Sequence, residues 1–200
     1  MILGVVLAGG ASRRMGGVSK SDLRLGDETF LQRAVRRLAP QVDRVVINAP
    51  LEVRDGPSFD PAANARWVQR FGAVEIVPDT VPGRAGPLAG ILTAMKVTAL
   101  EGSVVTAAVD TPFFPLDLAR RLKGDGVGFA ASAGRVHPVF GFWPADLRDE
   151  LRAALERDER KILAFADRHG YRTVEFPAPP DPFFNVNTPD DLTEALEMAA

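Results

Sequence analysis

The chain has 200 residues, 46% of them hydrophobic and 25% charged, with 24 basic side chains against 26 acidic ones. That length fits one domain with a core large enough to need no covalent staples, and the composition excludes collagen-like and disordered classes. Cysteine is absent and histidine occurs only at His137 and His169, which removes disulfide frameworks, zinc–thiolate sites, iron–sulfur clusters, cysteine nucleophiles and histidine-rich metal sites together. A formal net charge of −2 argues against a general nucleic-acid binder, which carries a basic excess. No apolar run approaches the ~20 residues of a membrane span. The run over 2–8 is too short and lacks the basic flank of a secretory signal, so a cytoplasmic location is expected by elimination.

In chain order the pattern is strand, loop, helix, repeated. Ile2–Leu7 is a continuous apolar run suited to a strand buried on both faces. A glycine-rich stretch follows, and then Phe30, Leu31, Ala34, Val35 and Leu38 recur at helical spacing. Arg44–Asn48 reads as the second strand, 62–71 as a helix and Val74–Val77 as the third strand. A Pro/Gly-rich loop leads to a helix predicted over 88–100. Residues 103–109 form another apolar strand that ends at Asp110. A helix over 116–122, strands at Val127–Ser132 and 136–143, and helices over 145–155 and 160–168 come next. A strand over 171–176 and a terminal helix over 189–198 complete the chain. This alternation predicts an α/β fold, a three-layer sandwich around a Rossmann-like, mostly parallel sheet. No repeat and no linker-like shift divides residues 1–200, and the Pro-rich patch 177–182 reads as a loop.

Ligands of such sheets bind beyond the carboxyl ends of the strands, so the residues after each strand carry the candidate chemistry. After the first strand come two glycine pairs, Gly9-Gly10 and Gly16-Gly17, with Arg13, Arg14 and Lys20. Glycine admits close backbone approach to a ligand, successive N–H groups make an anion nest, and the three cations complete a cradle suited to a triphosphate. The spacing is neither the dinucleotide fingerprint nor a P-loop, because Val18 and Ser19 separate Gly17 from Lys20. Asp110 follows the most apolar strand; it can hold Mg²⁺ against phosphate oxygens or serve a turn before Thr111-Pro112. Lys20 can be a phosphate partner or a solvated loop lysine. Asp79 can accept from the N–H edge of guanine or make an Asx-turn. Asn48 can contact a nucleotide or cap a turn. Gly86 opens a helix whose first N–H groups can face a nucleotide, with Pro87 at its first position. Thr188-Pro189-Asp190-Asp191 needs no more than a helix-capping role.

The segment Leu7-Ala8-Gly9-Gly10-x-Ser12-x-Arg14-Met15-Gly16-x-x-x-Lys20 resembles a nucleotidyltransferase pattern. With Asn48, Asp79, Gly86-Pro87-Leu88-Ala89-Gly90, Asp110-Thr111-Pro112, His137-Pro138 and Asn185-Val186-Asn187-Thr188-Pro189 in order, the chain looks like a bacterial molybdenum cofactor guanylyltransferase over nearly its whole length. The Gly-Gly loop favours the guanylyl branch over the cytidylyl one. One position departs: Ser19 stands where the family usually has an acid.

The resemblance implies the fold of the nucleotide-diphospho-sugar transferases and transfer of GMP from GTP to the terminal phosphate of molybdopterin, with release of pyrophosphate. It implies Lys20, Arg14 and Asp110 as catalytic residues, Asp110 as the Mg²⁺ ligand, and Leu7, Ala8, Gly9, Gly10, Lys20, Asn48, Asp79, Gly86 and Asp110 as the nucleotide site. Arg135, His137, Asn185 and Asn187 fall on the acceptor side. Proteins that deliver or receive the cofactor are implied as transient partners. Two alternatives remain at this point: a cytidylyl- or sugar-phosphate nucleotidyltransferase of the same fold, and a GTP-binding adaptor without turnover.

Overall fold

A computed structural model describes residues 1–9, 19–50, 74–78, 80 and 86–199. The helix expected over 62–71 lies outside the described residues, as do Gly10, Arg13, Arg14, Gly16, Gly17 and Asp79. Seven described strands form one sheet: β1 (Ile2–Leu7), β4 (Arg44–Asn48), β5 (Val74–Val77), β6 (Ser103–Ala108), β7 (Val127–Ser132), β8 (Arg135–Pro144) and β9 (Tyr171–Glu175). Their spatial order is β5-β4-β1-β6-β8-β7-β9. Only β8 runs against its neighbours, so the expected mostly parallel sheet is observed. β2 (Arg24–Leu25) and β3 (Glu28–Thr29) pair as a small separate ribbon that periodicity did not announce. The described helices are α1 (Phe30–Leu38), α2 (Pro87–Lys96), α3 (Leu118–Leu122), α4 (Arg148–Glu156), α5 (Ile162–His169) and α6 (Pro189–Ala199).

The continuous apolar run of β1 follows from two covered faces. Leu3 and Val5 pack with α2, α4 and α5 around Trp143 and Phe165. Val6 packs on the other side with Phe30 and Leu31 of α1, Leu118 of α3 and Ala195 of α6. Side chains such as Phe30 and Leu31 are fully buried, each contributing about 1.5–3 kcal/mol relative to exposure. Helix α1 starts at a capping box: Gln32 N–H donates to Thr29 Oγ1 (3.2 Å) and Thr29 N–H to Gln32 Oε1 (2.9 Å), which satisfies two otherwise orphan donors.

Several boundaries differ from expectation. Helix α2 stops at Lys96 rather than running to 100. The Thr98 hydroxyl donates to Ala94 O at 2.9 Å, a side-chain bond that competes with continuation of the helix. Helix α3 begins at Leu118, not at 116; Leu116 is 62% exposed and takes no part in the apolar face. The helix expected over 145–155 is a 3₁₀ turn, Ala145–Leu147, followed by α4. Helix α5 starts two residues late and ends one late. Strand β8 is longer than 136–143 because its turn to β7 is tight, with Ala133 (φ 48°) and Gly134 (φ 75°) both left-handed. Successive positive φ values are the signature of a two-residue hairpin loop that matches strand twist.

Candidate active site

Strands β4, β1 and β6 end level. Leu7 pairs with Asn48 on one side and Ala108 on the other. Beyond that edge Ala8 N–H donates to Asn48 O (2.8 Å), and Val109 N–H donates to Leu7 O (3.1 Å). Parallel strands ending together deliver their following residues to one place. A cavity of about 1160 Å³ opens there.

Leu7, Ala8, Gly9, Asn48 and Gly86 line the cavity where β1, β4 and α2 meet. Asn48 is buried and its amide donates to Val77 O at 3.2 Å. Its carbonyl oxygen and Leu7 Cδ2 stand where a side chain at position 90 would project, the latter 2.6 Å from an ideal Cβ. Helix α2 can therefore press its first turn against the strand ends only because residue 90 is glycine. Gly86 caps α2 at φ 71°, a left-handed backbone that a side chain disfavours, and Pro87 occupies the first turn. The helix N-terminus thus faces the cavity with its partial positive charge.

Lys20 lies on a 3₁₀ turn, Lys20–Asp22. Its Nζ donates to Asp110 Oδ2 at 2.7 Å and to Asn187 Oδ1 at 2.6 Å. The two charged side chains are only about a fifth exposed, 20% and 18%. Three expected residues, far apart in sequence, therefore meet at one point. Val186 N–H donates to Asp110 O (2.9 Å), stitching the Asn187 segment to the end of β6. Asp110 caps no helix, since Asp117 holds the position before α3. The loop beyond Asp110 is gripped from α1: Arg33 Nε donates to Pro112 O (3.0 Å), and Arg37 donates to Phe113 O (3.0 Å) and Phe114 O (2.7 Å). Burial, then the neighbouring Arg33 and Arg36, pull the Arg37 pKa down to about 10, which still leaves it charged at neutral pH.

Asn187 is placed by the cap of α6. Asn187 N–H and Thr188 N–H donate to Asp191 Oδ2 (2.8 and 2.9 Å), and Asp191 N–H donates to Thr188 Oγ1 (3.1 Å). These bonds, that from Asn187 foremost, hold the Asp191 carboxyl below its ordinary value, with Lys20 adding a smaller pull. The capping role read for Thr188 is observed, and it also orients Asn187.

Across the cavity, Arg135, His137 and Asn185 line the side formed by β8 and the segment before α6. Arg135 and Asn185 are exposed. Strand β8 carries a register shift against β7, with Phe129 opposite Gly141 and then Ala130 opposite His137. The extra residues contain Pro138, which a regular central strand would not accept. Thr106 Oγ1 pins the bulge by donating to Val139 O (2.6 Å) and accepting from Gly141 N–H (3.1 Å). His137 stacks on Phe183 with ring centres 4.6 Å apart, and its Nε2 lies 2.7 Å from Ser132 Oγ. Burial pushes the imidazole pKa down, Asp181 opposes this and Arg135 adds to it.

Sequence reading missed Asp181, Ser132, Phe183 and Asp191 as neighbours of the cavity. Asp181 sat in a Pro-rich patch read only as a loop, and its one available signal was a carboxylate beside paired phenylalanines. Among the described residues no three His, Cys, Asp or Glu side chains gather as a metal cage. Asp110 and Asn187 nonetheless present two hard oxygen donors to one cation. That set suits Mg²⁺, which is commonly held by one or two carboxylates together with substrate phosphates and water.

A mostly parallel sheet whose carboxyl edge unites a glycine-loop lysine with a strand-end aspartate defines an α/β nucleotidyltransferase. The chain belongs to the MobA-like NTP transferase domain family, whose model matches residues 4–172. It is 45% identical to a molybdenum cofactor guanylyltransferase of Rhizobium meliloti (strain 1021), covering 96% of this chain and 88% of that one. It is 44% identical to another of that name from Mesorhizobium japonicum, covering 98% and 95%. Among solved structures, a molybdopterin-guanine dinucleotide biosynthesis protein A from Archaeoglobus fulgidus superposes with a TM-score of 0.75 at 26% identity, over 99% of this chain and 98% of that one. A nucleotidyl transferase from Methanothermobacter shares the fold with a TM-score of 0.73 at 22% identity, over 100% and 97%. No helix among the described residues is long and apolar enough to cross a membrane.

Proposed function

We propose that this chain transfers GMP from GTP to the terminal phosphate of molybdopterin in the molybdenum cofactor. The acceptor phosphate oxygen attacks the α-phosphorus, the bond from that phosphorus to the bridging oxygen breaks, and pyrophosphate leaves. The observation that carries this reading is the meeting of Lys20, Asp110 and Asn187 at the shared end of β1 and β6, in a chain whose relatives are named for this reaction. The acceptor phosphate is already an anion at neutral pH, so no strong general base is needed. Catalysis is positioning plus charge neutralisation. The loop N–H groups and Lys20 bind the triphosphate, joined by Arg14 from outside the described residues. Asp110 would hold Mg²⁺, with Asn187 beside it; when bound, that ion neutralises charge on the phosphate oxygens. Asn48, Gly86 and the start of α2 seat the nucleotide, and Asp79 reads the base. Gly10 belongs to the same phosphate cradle. Transient contact with proteins that supply or receive the cofactor is part of this reading.

The test is pyrophosphate release with Mg²⁺, from GTP with and without molybdenum cofactor, in wild type and Asp110→Ala. Release that needs both substrates, and falls by about three orders of magnitude in the variant, is the expected result for loss of a charge-stabilising group. Release from CTP instead would reassign the nucleotide. GTP that protects against thermal unfolding but releases nothing with the cofactor would leave a binding protein without turnover.

A further inference from the structure

The antiparallel side of the cleft contains a polar cluster that the transfer chemistry leaves unused. Ser132 is buried on β7, its Oγ 2.8 Å from Asp181 Oδ1 and 2.7 Å from His137 Nε2. Phe183 N–H donates to the same Asp181 oxygen at 2.9 Å. An ionised carboxylate only accepts, so the single Ser132 hydrogen goes to Asp181. The hydroxyl must then accept from His137, which puts a hydrogen on Nε2 and, in the neutral ring, leaves Nδ1 with a bare lone pair. This is no hydrolytic triad. A protonated Nε2 cannot take the serine hydrogen, and the acid addresses the serine rather than the imidazole.

Two acceptors are left over. Asp181 Oδ2 and His137 Nδ1 have no hydrogen bond among the described residues, while Asp181 and His137 both line the cavity that holds Lys20 and Asp110. Behind them packs Phe183, a buried ring stacked on the imidazole and backed by Phe140 and Phe176, so the two acceptors stand on a rigid aromatic support. Two acceptors on one rigid wall of the cavity call for a ligand with N–H donors along one edge. A phosphate would meet the carboxylate as a like charge.

Resting on the reading above for the identity of the acceptor, we propose that Asp181 is the specificity residue for that acceptor. Locked by Ser132 and the Phe183 N–H beside His137, it accepts the N–H donors of an amino-bearing heterocycle of the pterin class. Guanine offers a similar edge, but the nucleotide half of the cleft lies across Asp110, where β1, β4 and α2 meet. The lock matters because a carboxylate held by two donors on one oxygen presents the other in a fixed direction, and a preorganised polar site rejects ligands that leave it unpaired.

Asp181→Asn tests this without removing the lock. Ser132 and Phe183 both need an acceptor at Oδ1, so the new amide turns its NH₂ outward and replaces an acceptor by a donor. With saturating GTP and Mg²⁺ and varied molybdopterin, the acceptor KM should rise about tenfold or more, with kcat changed less than about threefold. The KM for GTP, and the thermal protection GTP gives, should not move. Ser132→Ala, which keeps the carboxylate but frees it, should fall between wild type and Asp181→Asn. An unchanged acceptor KM in Asp181→Asn overturns the proposal, as does a rise confined to the GTP KM. Turnover that fails with molybdopterin in wild type sinks the functional reading instead. A second measurement then decides the site by itself: titration of neopterin, followed by its fluorescence, against wild type and Asp181→Asn. Binding weakened about tenfold by the variant supports the site. Equal affinity, or no binding to wild type, overturns it.

Discussion

At the scale of single residues, Gly90 shows how the absence of a side chain sets the cleft. A Cβ there would press on the Asn48 side-chain oxygen, Oδ1, and lie 2.6 Å from Leu7 Cδ2. Both neighbours are wall residues of the cavity, and neither is the free end of a long surface side chain. Gly90→Ala should therefore cost about 1–3 kcal/mol, the usual penalty of overpacking, although alanine is the better helix former. It should also reduce the shift in Tm that GTP produces, because Asn48 and the first turn of α2 move together. A Tm at or above that of wild type, with the GTP shift intact, would show that the helix slides without cost. The candidate residues could be picked out in sequence at this scale because the glycines, Lys20, Asp110 and Asn187 follow a strand or precede a helix. Their meeting was not legible. The Lys20 bonds to Asp110 and Asn187 span separations of 90 and 167 residues, and no local period encodes which strand ends stand side by side. Asp181 was hidden for a related reason: its partners are set by the bulge in β8, which moves His137 opposite Ala130.

At the scale of elements, strand and helix types were legible wherever an apolar run or a 3.6 period was strong, and the ends were lost to individual side-chain bonds, some local and some long-range. Thr98 ends α2 through Ala94 O, and Ala119 N–H at the start of α3 is met by Gln41 Oε1 from elsewhere in the chain (2.9 Å). The β7–β8 hairpin is the element with the clearest local strain. Ala133 takes φ 48°, a conformation in which Cβ crowds the following carbonyl. Asparagine tolerates that conformation, and Asn-Gly is the preferred pair for such a loop. Ala133→Asn should stabilise the protein by about 0.5–1 kcal/mol, or raise Tm by roughly 1–4 °C for a chain of this size. Thermal unfolding followed by circular dichroism reads this directly, and a lowered Tm would mean that the methyl group packs in a way its exposure does not indicate.

At the scale of the whole molecule, two groups that line the cavity, His137 and Asp191, tie stability to pH. Burial lowers the His137 pKa from its ordinary 6.5, so as pH falls the unfolded chain takes up this proton before the folded one. The contribution is complete above pH 6.5 and is lost as pH falls through the window below it. The Asp191 carboxyl is lowered from 3.8, chiefly by the Asn187 N–H. Its contribution is complete above that value and is lost only in stronger acid, as pH falls through the folded pKa. Acid therefore loosens the β7–β8 wall of the cavity first and the α6 cap later. Wild type should lose more Tm between pH 7.5 and pH 5, values that bracket the ordinary histidine pKa, than His137→Gln does. Parallel Tm–pH curves for the two proteins would mean that His137 does not distinguish the folded from the unfolded chain.

The bond from Lys20 to Asn187 has a consequence for biosynthesis. A growing polypeptide carries the glycine loop early and Asp110 midway, but it acquires Asn187 only after the entire sheet has been made. Until that segment docks, the lysine lacks its bond to Asn187, and the Asp110 carbonyl lacks its bond to Val186. The Lys20–Asp110–Asn187 arrangement is thus completed by a late-synthesised piece of the chain, and a nascent or clipped molecule carries Lys20 and Asp110 without it.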